Sequence, residues 1–117
     1  MHNIVQNKAR KTLVATLSGN IDINQANAML SDFKKITYGL NTKDYVLIIN
    51  PENLSANIFV IPILQSFVNL VAELKFKRMY LINSDKYAAL IKQQLGNTDV
   101  AASLKFATNV NEALNSF

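Results

Sequence analysis

The sequence predicts an α/β fold: a mainly parallel sheet of roughly four to five strands, edged by an N-terminal hairpin strand and carrying about four helices. Three observations predict it. Two short runs, Asp44 to Asn50 and Met79 to Asn83, are almost wholly β-branched or aliphatic, the pattern of strands covered on both faces. Segments with apolar residues at helical period lie between and around them. Helix-start and helix-stop residues punctuate those segments at the spacings that capping requires. Buried strands that alternate with helices pair in parallel through right-handed crossovers.

The elements follow in order. Ile4-Val5-Gln6 is a short strand, and Asn7 to Arg10 turn it into a second strand from Lys11 to Ser18, where Leu13, Ala15 and Leu17 alternate with Thr12, Val14 and Thr16. After Ser18-Gly19, the run Asp22-Ile23-Asn24-Gln25 has the spacing of a capping box. Ala26, Met29, Leu30, Phe33 and Ile36 or Thr37 then recur at helical period, and Gly39 sits where a left-handed terminus is wanted. The central strand ends at Pro51, and a polar link, Glu52 to Asn57, leads to a second helix. That helix begins near Pro62, because proline suits a first turn and disrupts an interior, and it runs to about Lys75.

Met79 to Asn83 forms the next strand, and Ser84 caps a third helix from Asp85 to Leu95 that Gly96 stops. A last strand near Leu104 to Ala107 and a capping box at Asn109-Val110-Asn111-Glu112 before Ala113-Leu114 complete the chain. No linker, repeat or low-complexity segment divides residues 1–117, which are read as one domain.

Absent residue types narrow the chemistry. Half of the 117 residues are apolar and 17% are charged, ordinary globular proportions that argue against disorder or a fibrous repeat. There is no cysteine, hence no disulfide, thiolate nucleophile or thiolate metal site. The single histidine, His2, lies beside the N-terminus and leaves this chain without a Ser-His-Asp triad or a His-rich metal site. Gly19, Gly39 and Gly96 are too far apart to build a phosphate-cradling glycine loop. The first residues lack the order of a secretory signal, and the most apolar stretch, Ile58 to Leu74, is interrupted by Pro62, Gln65, Ser66, Asn69 and Glu73. The expectation is a soluble cytoplasmic protein without cofactor or metal.

Leu17-Ser18-Gly19-Asn20-Ile21-Asp22 followed by Ala26 and Leu30 resembles the STAS family, the domain of bacterial anti-sigma-factor antagonists and of sulfate-transporter tails. Leu81-Ile82-Asn83-Ser84 with Ala89-Leu90-Ile91 and Leu95-Gly96 resembles that family's strand, short third helix and closing glycine, and Asn109 to Leu114 its C-terminal helix. The order and spacing of these pieces, over nearly the whole chain, carry the resemblance. Family antagonists have an Asp at the end of the central strand and an Asp-Ser-Ser segment at the next helix start, whose serine a partner kinase phosphorylates. Here the strand ends Ile49-Asn50-Pro51 and the helix start reads Ile58-Phe59-Val60-Ile61-Pro62, with no hydroxyl at the matching position. The resemblance thus implies a partner-binding module without the family's serine switch. Ser55 is the nearest candidate phosphosite, against a reading as a turn or capping residue.

Three features could carry function. On the second helix the polar set Gln65, Ser66, Asn69 and Glu73 falls in one stripe, and the remaining apolar residues cover an arc of roughly 200°, about twice what a surface helix needs. Deep burial explains that arc; alternatively one shoulder, with Ile58, Phe59 and Ile61, is an exposed patch. The net charge of +4 collects at the edge where strands begin and helices end. Complementing the helix dipoles is the favoured reading, which makes nucleic acid or an anionic membrane the lesser alternative. The opposite edge gathers amides and hydroxyls, where open α/β sheets bind ligands. Asp22, Glu52 and Asp85 are its only carboxylates, and Asp22 and Asp85 read as cap or first-turn residues, so no enzyme is expected.

The expected function is therefore a non-catalytic protein-interaction module. Its contact residues are Asn50, Glu52, Ser55 and Asn57 of the strand-end loop, with Phe59, Val60, Ile61 and Gln65 of the helix start. By resemblance its partner is an anti-sigma-factor-like kinase or regulator. The alternative is a structural homodimer whose interface consumes the apolar shoulder.

Overall fold

A computed structural model of the chain describes residues 2–56, 58–82 and 104–116. Strands β1 (His2–Asn7) and β2 (Thr12–Ile21) form the N-terminal hairpin and lead to helix α1 (Ile23–Thr37). A 3₁₀ turn (Thr42–Asp44) precedes strand β3 (Val46–Ala56). A second 3₁₀ turn (Ile58–Val60) opens directly into helix α2 (Ile61–Leu74), followed by β4 (Arg78–Ile82). Strand β5 (Leu104–Ala107) and the short helix α3 (Val110–Leu114) close the described residues. The expected helix from Asp85 to Leu95 lies outside them.

The sheet order is β1-β2-β3-β4-β5, with β1 antiparallel to β2 and every other pair parallel, as the alternation of buried strands with helices requires. Val46, Leu47, Ile48 and Ile49 are all at most 4% exposed because both faces of β3 are covered. On one face Leu13, Leu17, Leu47, Ile49, Met79 and Leu81 meet α1 and α2. Phe33 of α1 stands edge-on to Phe67 of α2, with ring centroids 4.9 Å apart, and tilted to Phe76 at 6.3 Å. On the other face Val46, Ile48, Tyr80 and Ile82 form a smaller cluster beneath Ala113 of α3.

Local chemistry fixes the helix ends. The Asp22 carboxylate accepts from the Gln25 amide at 2.8 Å while the Gln25 side chain accepts from the Asp22 amide at 3.2 Å, so the expected capping box is complete. At α3 only half of the expected box forms. Asn109 accepts from the Glu112 amide at 2.8 Å, but the Glu112 carboxylate takes the Thr108 hydroxyl instead of reaching back. Gly39 follows α1 at φ +75°, the left-handed terminus its position implied. α2 ends without a glycine, on Lys75 at φ 52°, and its Leu74 carbonyl accepts from the buried Thr42 hydroxyl.

One boundary differs from expectation and matters for the site. The polar segment after Pro51 is not a loop: β3 continues through Ala56. The reason is its partner, because β2 also runs on past Ser18 to Ile21 and offers the edge against which Glu52, Ser55 and Ala56 pair. Between the pairs Ser18↔Glu52 and Asn20↔Ser55, β2 advances two residues and β3 three, a bulge that Gly19 accommodates at φ +73°. Pro51 is tolerated there because the register with β4 ends at Ile49↔Leu81, so its missing N–H removes no ladder bond on that side.

Candidate functional site

The strand-end edge is built from the extension of β3, the bulge of β2 and the 3₁₀ turn before α2. Asn50 leaves the buried run half-exposed and sits opposite Thr16, its amide donating to the Thr16 hydroxyl at 3.5 Å. Glu52 and Ser55 follow on β3, in register with Ser18 and Asn20. Ser55 therefore stands in a strand and not in the turn or cap expected of it. Asn57 lies outside the described residues. The contact set is thus a strand pair, and its spacing is set by sheet hydrogen bonds and not by a free loop.

The 3₁₀ turn then sends adjacent side chains in opposite directions. Phe59 is 70% exposed, whereas Val60 is fully buried in the larger core cluster. Val60 is therefore removed from the expected contact surface: a three-residue turn has a tighter period than the α-helix it precedes, and that phase points Val60 inward. Ile61 opens α2 beside Pro62, which occupies the first turn where its absent N–H costs nothing. Pro62, Gln65, Ser66 and Asn69 face solvent.

Most of the apolar arc of α2 is consumed by packing. Phe67, Val68 and Val71 are buried and Ile63, Leu70, Ala72 and Leu74 are packed against the core, because α1 crosses beside α2 and covers the shoulder that the sheet does not. The polar stripe Gln65, Ser66, Asn69 and Glu73 is exposed as its spacing implied. Among the described side chains, what remains apolar and outward at this edge is Phe59, together with Ile23 at 44% exposure on the first residue of α1, against which the 3₁₀ turn packs. Ile23 escaped sequence reasoning. It stands three residues before the buried Ala26 and reads as the start of the core stripe; its place in the first turn, beyond the sheet edge, turns it outward.

The opposite edge has a different character. Of the twelve Lys and Arg residues, Lys86 and Lys92 lie outside the described residues. The others occupy the β1–β2 turn, the strand starts or the last turns of the helices that feed them. Lys11 stands 4.0 Å from the Asp44 carboxylate. Between β4, β5 and the end of α3 lies a depression of about 610 Å³ lined by Arg78, Tyr80, Lys105, Phe106 and Ser116. Arg10 reaches across to the Leu114 carbonyl at 2.5 Å and ties the hairpin turn to the end of α3. His2 is not a loose terminal residue: β1 holds it opposite Leu17, and its Nε2 lies 2.6 Å from the Asp32 carboxylate. Among the described residues no group of three His, Cys, Asp or Glu side chains is placed to hold a metal ion, and no helix is long and apolar enough to cross a membrane.

No family model matches this chain, and no curated protein matches it. Solved structures do. An uncharacterised protein of the DUF3478 family from Shewanella loihica PV-4, with a SpoIIAA-like fold, superposes with a TM-score of 0.68 at 15% identity, over 98% of this chain and 90% of its own. The anti-sigma-factor antagonist SpoIIAA in its unphosphorylated form gives a TM-score of 0.64 at 14% identity, covering 98% of this chain and 94% of its own. The Bacillus cell fate determinant SpoIIAA in its phosphorylated form gives 0.66 at 14% identity, with 98% and 97% covered. With the hairpin edge, the parallel ladder and the capped helices already in place, these superpositions identify the architecture: the chain has a SpoIIAA-like fold, the fold that the STAS resemblance implied.

Proposed function

We propose that this chain is a non-catalytic protein-interaction module that engages its partner at the strand-end edge, through Phe59 and the polar groups around it. The observation that carries the reading is the contrast between Phe59 and Val60. An aromatic side chain 70% exposed is anchored by a neighbour that is fully buried, so it is presented in a fixed position. Burying such a ring against a partner contributes about 1.5–2 kcal/mol, and pre-positioning reduces the ordering cost of doing so. Asn50, Gln65 and Ser66 supply polar contacts at the rim, and Glu52 and Ser55 lie on the paired strand beside them. An apolar centre with an amide-rich border is the usual anatomy of a protein contact.

The fold supports the class of partner. SpoIIAA is an anti-sigma-factor antagonist, and by that likeness the partner here is a regulator of the anti-sigma-factor type. The serine switch is the part we expect this chain to lack, because Ile58 to Leu64 contain no hydroxyl and Ser66, one turn further, donates to the Pro62 carbonyl at 3.1 Å. The chain then binds its partner without being turned off by phosphorylation at that position.

The test is Phe59→Asp. Partner capture from the native lysate, followed by titration with the purified partner, is expected to weaken at least tenfold in this variant while the thermal midpoint stays within about 2 °C of the parent. Light scattering across a dilution series accompanies it. A dimer that survives dilution and is broken by Phe59→Asp would assign the patch to self-association instead. Partner binding unchanged in a folded Phe59→Asp protein would sink the reading.

A further inference from the structure

The geometry points to a second binding surface, independent of the strand-end site: the strand-start edge is a docking face for single-stranded nucleic acid. Its cations are gathered by topology. Lys8, Arg10 and Lys11 fill the turn between β1 and β2. Lys43 precedes β3, Lys77 and Arg78 open β4, and Lys105 lies on β5 opposite Tyr80. Parallel strands bring all these starts to one rim, and all these side chains are exposed.

Helix dipoles do not account for the arrangement. Lys34 and Lys35 do occupy the last turn of α1 and Lys75 caps the end of α2, but Lys43, Lys77, Arg78 and Lys105 belong to strands or their leads. Those four have no ion pair among the described residues. Among the described residues Asp44 and Glu73 are the carboxylates near this rim; Asp44 stands 4.0 Å from Lys11 and accepts from the Asn41 amide at 2.7 Å. A row of like charges held close destabilises the chain that carries it and attracts a polyanion.

The partner's chemistry follows from shape and rings. Five strands about 4.8 Å apart give a rim about 19 Å long. An extended single strand spaces its phosphates more widely than the roughly 3.4 Å per strand of a duplex axis, so about four span the rim. The rim is not flat, since the depression between Arg78 and Lys105 is walled by Tyr80 and Phe106. A strand can enter such a concavity and a bilayer surface cannot. Tyr38, just past the two α1 lysines, is 91% exposed, an aromatic face on which a base can stack without sequence readout. Alternating phosphates and stacking faces are what single-stranded nucleic acid offers and an acidic protein does not.

The experiment is fluorescence anisotropy of a labelled twelve-nucleotide oligouridine with the purified full chain. Binding is expected at 50 mM salt, with a log–log salt slope near −3, that is, roughly a 60-fold loss of affinity between 50 and 200 mM. Lys77→Glu with Arg78→Glu should abolish it, and Tyr38→Ala should lower affinity at least fivefold while leaving the salt slope unchanged. Asp44→Asn, which removes a rim carboxylate, should raise affinity, a gain that a misfolded variant cannot mimic. No binding at 50 mM salt overturns the proposal. So does sedimentation with phosphatidylserine vesicles in the absence of oligonucleotide binding, which would make the rim a lipid surface. Competition by polyglutamate as effective as by oligouridine, with Tyr38→Ala indistinguishable from the parent, also overturns it.

Discussion

Lys75 ends α2 in the left-handed region, at φ 52°, where a side chain with a Cβ is strained and glycine is not. Lys11 adopts the same region at φ 51° in the hairpin turn. Replacing Lys75 with glycine relieves that strain and loosens the unfolded chain, so the net gain is modest. Lys75→Gly is expected to raise stability by about 0.5–1 kcal/mol, read as a shift of the urea midpoint without a change in slope. Phe59 and Val60 make the other lesson at this scale. Both are large and apolar, they are adjacent, and one is 70% exposed while the other is fully buried. The sequence placed both on the contact surface because it started the helical wheel at Pro62; the 3₁₀ turn ahead of the helix changes the phase, and hydropathy carries no record of that change.

At the scale of elements, α1 and α2 are legible from local chemistry and their packing is not. The Asp22 and Gln25 box, the glycine at position 39 and the proline at the start of α2 are signals within a few residues of the ends they fix. The fate of the broad apolar arc of α2 depends on a neighbour. Phe33 of α1 is fully buried and meets Phe67 edge-on and Phe76 tilted, so the two helices share one aromatic cluster above the sheet. Phe33→Ala is expected to cost about 3–5 kcal/mol by chemical denaturation, whereas Ser66→Ala on the exposed stripe should stay within about 0.5 kcal/mol. The strand after Pro51 shows the same dependence in the other direction. Glu52 to Ala56 read as a link, since strand preference is weak in that composition, and they became a strand because β2 extends beside them.

At the scale of the molecule, the two edges of the sheet differ in charge. The strand-end edge carries Phe59, Ile23 and a border of amides, and the strand-start rim carries the described Lys and Arg residues. With a net charge of +4 concentrated in this way, screening should favour the folded state. Raising sodium chloride from about 10 to 200 mM is expected to increase the urea-unfolding free energy by about 0.5–1 kcal/mol, and a decrease would mean that attractive pairs dominate the rim. The sequence by itself determined the fold class, the order of the described strands and helices, the capping box of α1 and the edge at which the cations gather, because hydrophobic period, capping spacing and parallel topology are all written in local patterns. Only the tertiary structure decided that the polar segment after Pro51 is a paired strand, that α1 covers the shoulder of α2, that Val60 turns inward while Phe59 and Ile23 face solvent, and that Lys43, Lys77, Arg78 and Lys105 have no ion pair among the described residues. Each of those depends on which distant residue lies alongside, and pairing across the chain is set by packing and register, which no window of neighbouring residues contains.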